Sequence, residues 1–169
     1  MLFRSAYSTQ GVFSGSVTLT PAQIGALLNG DLYVNLHTAV NPGGEIRGQL
    51  APMIFPVLMN GAKEVGPVVT PATGYGYVGL VGRQVSIGLH YRDLQGNISD
   101  AHYHGPADTA SSGGVLIGLP FTAGNPWGFI FNSQTLSDAH VSFFADGLVY
   151  VNIHSTFAGG GEIRGQVVP

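Results

Sequence analysis

The chain has 169 residues, a formal net charge of −3 and charged side chains at only 9% of positions. Its six lysines and arginines cannot form the basic face that a phosphate-neutralising nucleic-acid binder needs. Cysteine is absent, which excludes disulfides, thiolate metal sites, iron–sulfur clusters and thiol nucleophiles. The 26 glycines and 10 prolines favour many short strands joined by turns over a helical fold.

The first 50 residues contain signals for one helix and one hairpin. The opening Met-Leu-Phe-Arg-Ser-Ala lacks the apolar core of a signal peptide, so we expect no signal peptide in the chain as given. A short helix is predicted over Pro21–Leu28, with Thr20 as N-cap and proline at the first helical position. Residues 33–38 and 45–50 are predicted to pair as strands around the turn Asn-Pro-Gly-Gly at 41–44.

The rest of the chain is predicted to be strands and turns, with no membrane-spanning segment. Strands this short and this closely spaced are typical of an antiparallel Greek-key, immunoglobulin-like β-sandwich. The predicted strands cover residues 57–60, 75–81, 84–91, 98–104, 115–119, 129–131, 149–154 and 162–167. Aromatic residues late in the chain are expected in the core, an aromatic binding surface being the alternative: Trp127, Phe129, Phe131, Phe143 and Phe144.

An internal repeat organises the sequence. Leu-Tyr-Val-Asn-Leu-His-Thr at 32–38 recurs as Val-Tyr-Val-Asn-Ile-His-Ser at 149–155, an offset of 117 residues. Gly-Gly-Glu-Ile-Arg-Gly-Gln-Leu at 43–50 recurs as Gly-Gly-Glu-Ile-Arg-Gly-Gln-Val at 160–167 with the same offset. A period of this length indicates a duplicated domain rather than a solenoid. We predict a partial repeat over 1–51, limited to the C-terminal hairpin part, and a complete repeat over 52–169, packed as one structural unit.

Histidines are the candidate metal ligands. His102 and His104 are two residues apart on a predicted strand, which places both imidazoles on one face, about 6–7 Å apart at the backbone. If the strand of His154 is their neighbour, three imidazoles converge. Three neutral imidazoles suit copper or zinc but not magnesium or calcium. We therefore predict a metal site formed by His102, His104 and His154, with copper favoured and zinc as the alternative; ordinary polar surface is the competing interpretation.

The other three histidines are weaker candidates, and the fourth ligand (His90, His37 or water) stays open. A two-residue turn after the strand at 84–91 would point His90 away from His102, whereas a three-residue turn would bring both to one face. His37 is the repeat equivalent of His154 but has no local His-x-His partner. His140 follows a predicted turn and is expected to be solvated.

These motifs together resemble the CHRD domain, a family first described in chordin. The duplicated hairpin carries the resemblance, supported by Met-Asn-Gly-Ala-Lys-Glu-Val-Gly-Pro at 59–67 and Ala-His-Tyr-His-Gly-Pro-Ala at 101–107. It covers nearly all of 52–169 and residues 15–50. The resemblance implies an all-β, immunoglobulin-type sandwich from extracellular, periplasmic or cell-surface proteins, in which His-x-His and Asn-x-His recur together.

Three functions remain open at this point. The first is a metal-binding sandwich, the second a non-catalytic extracellular interaction or adhesion module, and the third, more remote, a copper redox enzyme in the style of superoxide dismutase. No Gly-x-Ser-x-Gly elbow or phosphate loop is present, so we predict no catalytic residues. The pairs Glu162–Arg164 and Glu45–Arg47 are expected to form a cross-strand ion-pair ladder.

The partial repeat also predicts assembly. Its hairpin has apolar residues at Val34, Leu36, Ile46 and Leu50 but too few strands to bury them. Edge-strand pairing across a two-fold axis would protect those strands. We therefore predict a homodimer or strand-swapped assembly, with an extracellular protein as a further possible partner.

Overall fold

The computed structural model describes residues 17–168, and the chain divides between Ala51 and Pro52 into two compact units. The predicted start of the partial repeat, residues 1–16, and the final residue 169 lie outside the described residues. Packing of the two segments as one structural unit stays a prediction.

The first unit contains a helix and a hairpin. Helix α1 is Pro21–Leu28, and strands β1 and β2 are Leu32–Leu36 and Ile46–Leu50. The predicted helix is confirmed, because the Thr20 hydroxyl accepts from the backbone N–H of Gln23 and the Gln23 side chain accepts from that of Thr20. The apolar residues of the hairpin are largely exposed: Val34 at 50%, Ile46 at 63% and Leu50 at 41%.

The second unit is an antiparallel β-structure with one short helix. The elements are β3 Met53–Asn60, a 3₁₀ turn at Gly61–Lys63, β4 Thr73–Val81, β5 Gln84–Arg92, β6 Ile98–His104, β7 Val115–Gly118, β8 Gly128–Thr135, α2 Asp138–Ala145, β9 Val149–Ser155 and β10 Ile163–Val167. The strands follow the sheet order β7-β6-β9-β10-β3-β4-β5-β8, with every neighbouring pair antiparallel.

The sheet consists of two four-stranded halves that share one core. Strands β10 and β3 are joined in register only at Arg164 and Asn60, whereas every other neighbouring pair has at least three register partners. A single apolar cluster takes buried residues from both halves, including Val57 and Leu89 from one and Tyr103 and Val151 from the other. The predicted all-β antiparallel fold is confirmed, and the shared core agrees with a sandwich.

Two sequence predictions about this unit are wrong. His140 lies inside helix α2, whose N-cap hydroxyl is that of Ser137, and not after a turn. Three of the five aromatic residues expected in the core are instead exposed: Trp127 at 57%, Phe129 at 56% and Phe131 at 71%. Between them on β8, Ile130 is the residue that points into the core. Of the other two, Phe144 is buried and Phe143 is partly buried.

No helix among residues 17–168 is long and apolar enough to cross a membrane.

Candidate metal centre

The turn of the β9–β10 hairpin sets the position of His154. The backbone N–H groups of Ser155 and Gly161 both donate to the carbonyl of Ala158, and that of Glu162 donates to Ile153. Gly161 has a φ of 129°, where a side chain would be strained, and a Cβ there would lie 2.5 Å from the Asn152 side chain. Glycine is therefore required for the tight turn that follows the histidine.

The β6–β9 pairing brings the three predicted ligands together. His102 pairs across the ladder with Asn152, and Asp100 pairs with His154, so both strands present their histidines on the same face. Ring centroids are 5.3 Å apart for His102–His104, 5.0 Å for His102–His154 and 5.6 Å for His104–His154. One ligand nitrogen from each lies within 4.8 Å of the other two, and this is the one such group found in the described part of the chain.

Each of the three rings is held through the nitrogen that a metal would not use. His104 Nδ1 lies 3.1 Å from the carbonyl oxygen of Gly113, and His154 Nδ1 lies 3.0 Å from that of Gly159. A carbonyl only accepts, so in a neutral ring both Nδ1 atoms carry the proton and both Nε2 atoms keep a lone pair. This outer hydrogen bond is the usual companion of metal ligation by histidine.

His102 is oriented the other way round. Its Nε2 lies 3.0 Å from Asp100 Oδ1, a carboxylate oxygen that only accepts, so in the neutral ring the proton is on Nε2 and the Nδ1 lone pair is free. That Nδ1 lies 3.1 Å from His154 Nε2. The Nε2 of His104 is buried and has no hydrogen-bond partner among the protein atoms. Three lone pairs are thus directed at one small volume, an arrangement that is compatible with a shared metal ion.

Burial favours the neutral form of two of the three histidines. Burial is the largest cause lowering the pKa of His104 and that of His154. The charges of His154, His102 and Arg164 lower the pKa of His104 further, and that of His102 lowers the pKa of His154. The Gly113 carbonyl opposes this shift for the pKa of His104, and the Gly159 carbonyl and Asp100 oppose it for His154. Rings that are already neutral at neutral pH bind a metal ion without first losing a proton.

The remaining histidines are not in the cluster. His37 contacts the carbonyl of Pro42 in its own hairpin, and the ring of His140 lies 6.2 Å from that of Phe143. The ring of His90 lies between those of Tyr75 and Phe129, with centroid distances of 5.8 Å and 4.8 Å. Both turn interpretations for His90 are wrong, because each assumed a β5–β6 hairpin, whereas β5 pairs with β4 and β8.

The predicted ion-pair ladder is also wrong, since Glu162 and Arg164 each bind loops instead. Glu162 is fully buried and accepts from the Thr70 hydroxyl at 2.6 Å, the Gln95 backbone N–H at 2.7 Å and the Ser155 hydroxyl. These three donors lie on three different segments, so the carboxylate joins the hairpin to the rest of the unit.

Arg164 also binds a loop, the one that follows β6. It is 1% exposed and donates to the backbone carbonyls of Asp108 at 2.6 Å and Ser111 at 2.9 Å. Its guanidinium lies 3.6 Å from the centre of the Tyr150 ring, whose hydroxyl accepts from the N–H of Gly113 at 3.2 Å. These contacts hold the loop after β6, and with it the Gly113 carbonyl that orients His104.

Sequence reasoning missed Asp100 as an orienting residue. The spacing Asp-x-His from 100 to 102 is the signal that could have found it, because i and i+2 share a strand face. The loop carbonyls of Gly113 and Gly159 carry no side-chain signal and come from the fold alone.

Comparison with known sequences assigns the family. The sequence model of the CHRD domain matches residues 3–50 and 55–167. The chain belongs to the CHRD domain family. This membership confirms the resemblance seen in the duplicated hairpin.

One curated relative is chordin from Danio rerio, to which this CHRD chain is 26% identical over 163 residues. The alignment covers 83% of this chain but only 17% of chordin, so the chain spans under a fifth of that relative's length. No solved structure matches the chain significantly. The histidine cluster is compatible with a metal ion on the geometry described above.

Proposed function

We propose that this CHRD chain is a metal-binding protein that holds one transition-metal ion through His102, His104 and His154. The observation that carries the proposal is the set of three convergent lone pairs, each on a ring whose other nitrogen is fixed by a protein acceptor. Histidines at an ordinary polar surface need no such arrangement, because water satisfies both ring nitrogens.

Copper is the favoured ion and zinc the alternative. Both accept three neutral imidazoles, and the affinity order for nitrogen ligands places copper above zinc. The side chain of His102 is 16% exposed, so a water molecule or small anion from solvent can complete the coordination. Because the ligands come from β6 and β9, the bound ion would also cross-link the two strands.

A role in binding, storage or structural support is favoured over catalysis. The side chains beside the cluster, Asn152, Arg164 and Tyr150, hold loops and rings in place. A copper redox enzyme is the alternative that requires turnover at an open coordination position. We also propose an extracellular or cell-surface location, which rests on the family resemblance.

The test is metal titration of the full chain purified without an affinity tag and stripped with a chelator. We expect one Cu²⁺ per chain, or one Zn²⁺ at lower affinity, by calorimetry with elemental analysis. His102→Ala/His104→Ala should abolish this binding. His90→Ala/His140→Ala is the matched control, since it removes two histidines outside the cluster and should leave stoichiometry and affinity unchanged.

Unchanged binding in the His102→Ala/His104→Ala protein, or no binding at up to 100 equivalents of either ion, would contradict the proposal. Superoxide or peroxide turnover by the copper-loaded chain, lost in the same variant, would move the function from binding to redox chemistry.

A further inference from the structure

The outer surface of the half-sheet β3-β4-β5-β8 carries an exposed apolar area that the metal centre does not use. We call it the aromatic face and define it by Ile54, Leu58, Tyr75, Tyr77, Phe129 and Phe131. Each of these six side chains is between 56% and 71% exposed. Single exposed apolar residues are ordinary, but a contiguous group of this kind marks an interaction surface.

Strand register makes the group contiguous. Leu58 pairs with Tyr75, which pairs with His90, which pairs with Phe129, so one row runs across all four strands. The next row runs in the same way through Pro56, Tyr77, Gly88 and Phe131. With strands about 4.8 Å apart, each row is about 15 Å wide.

None of the six residues that define the aromatic face is charged, and the charges nearest to it lie at its border. Arg92 borders it beyond His90 and pairs with Asp93 at 3.3 Å, and Lys63 donates to the backbone carbonyl of Leu58. Strands β3, β4 and β8 contain no Asp, Glu, Lys or Arg, and the one such residue on β5 is Arg92 at its last position. The corresponding surface of the other half-sheet is different, because Arg164 and Asn152 there are buried and bonded to loops or side chains. The exposed apolar surface is therefore specific to one half of the unit.

We propose that the aromatic face is the interface of a homodimer, in which it packs against the same face of a second copy. The four rings expose about 500 Å² at roughly 200 Å² per ring, and the aliphatic residues add about 200 Å². Two such faces bury about 1,400 Å², which lies within the roughly 1,200–2,000 Å² of stable protein interfaces. Because none of the six defining residues is charged, the centre of the face meets its own copy without repulsion between like charges.

The test is sedimentation equilibrium of the full metal-free chain from 1 to 200 μM. We expect the mass of a dimer for the wild type and of a monomer for Phe131→Lys, with a dissociation constant raised at least 100-fold. Phe157→Lys is the matched control: Phe157 is 51% exposed but lies in the β9–β10 turn, so this variant should dimerise as the wild type does. Tyr77→Ser provides a second disruption if Phe131→Lys fails to fold.

A wild type that stays monomeric at 200 μM would overturn the homodimer, as would Phe131→Lys and Tyr77→Ser chains that dimerise with wild-type affinity. A monomeric wild type that binds an insoluble polysaccharide through this face would overturn it as well and assign the face to a glycan.

Discussion

The hairpins β1–β2 and β9–β10 repeat each other down to individual hydrogen bonds. The Nδ1 atom of His37 lies 2.8 Å from the carbonyl oxygen of Pro42, and that of His154 lies 3.0 Å from that of Gly159, with both partners displaced by 117 residues. The same displacement relates the arginine–tyrosine contacts, at 3.8 Å in β1–β2 and 3.6 Å in β9–β10. The motif therefore determines the local structure of the hairpin in both places.

The two hairpins differ in what surrounds them. Glu45 is exposed and accepts from the Thr38 hydroxyl, whereas its equivalent Glu162 is buried and also accepts from Thr70 and Gln95. His154 has His102 and His104 beside it, supplied by β6. A local motif thus orients one ligand, but the other two ligands come from a strand about 50 residues away.

The largest expected contrast is in metal binding by equivalent histidines. His154→Ala should raise the dissociation constant for Cu²⁺ or Zn²⁺ at least 100-fold, because one of three ligands is lost. His37→Ala, at the same motif position, should leave it within twofold. Calorimetric titration of both variants measures this, and equal losses in the two would show that the motif alone carries the site.

The next contrast is in stability. Glu162→Gln replaces a buried acceptor of three hydrogen bonds with an amide that has one acceptor oxygen, and should cost about 2–4 kcal/mol. Glu45→Gln, on the exposed hairpin, should change the free energy of unfolding by less than about 0.5 kcal/mol. Urea denaturation in the presence of a chelator compares the two, and a Glu162→Gln cost near that of Glu45→Gln would contradict the assigned contacts.

Glu64, which lies beside the second hairpin, contributes a pH dependence to stability. Asn152 donates to its Oε2 at 3.4 Å, whereas the equivalent Asn35 donates to the Gly43 carbonyl. Burial raises the pKa of Glu64 to about 7, opposed by the charge of Arg164 and the Asn152 hydrogen bond. The folded state thus holds a proton that the unfolded state releases near pH 4.5.

The stabilising contribution of this proton is complete below about pH 4.5 and is lost as pH rises through 7. We expect the free energy of unfolding of Glu64→Gln, relative to that of the wild type, to rise by roughly 1–2 kcal/mol between pH 5 and 8. The expected rise is kept small because solvent reaches the carboxyl and screens its interactions. His104 and His154 have the opposite trend, because their lowered pKa values remove stability as pH falls. Both proteins contain these two histidines, so the difference between Glu64→Gln and the wild type cancels their contribution. A difference independent of pH would contradict this assignment.

The smallest contrast concerns the paired tyrosines. Tyr150→Phe removes the acceptor of the Gly113 N–H and should cost about 1 kcal/mol, with a loss of metal affinity of a few fold because Gly113 orients His104. Tyr33→Phe should change stability by less than about 0.3 kcal/mol. Denaturation and titration of the two variants measure this, and a larger effect at Tyr33 would reverse the comparison.

Features that depend on interactions between residues near one another in the chain can be predicted from the sequence, and features that depend on distant residues cannot. The β9–β10 hairpin and the shared face of His102 and His104 depend on local alternation and turn chemistry, so the sequence predicts them. The pairing of β5 with β8, which places Phe129 beside His90, could not be predicted, because β8 lies about 40 residues further along the chain. The outward direction of Phe129 and Phe131 depends on whether they or Ile130 face the core, a choice that alternation alone leaves open.

Helix α2 was predictable in principle but was missed. Its bounds, Asp138–Ala145, are those of α1 displaced by the same 117 residues as the hairpins. Asp138 replaces the proline that marks the start of α1, and Phe143 and Phe144 are weaker helix formers than the leucines at the end of α1. The repeat was therefore a stronger guide to this helix than local propensity.

The most direct test of the account is ¹⁵N NMR of the histidine rings during titration of the stripped full chain with diamagnetic Zn²⁺. The account predicts that three of the six rings bind, through His102 Nδ1, His104 Nε2 and His154 Nε2, while His37 is unchanged. Binding that includes His37, binding through the opposite ring nitrogens, or no ring that responds would contradict it.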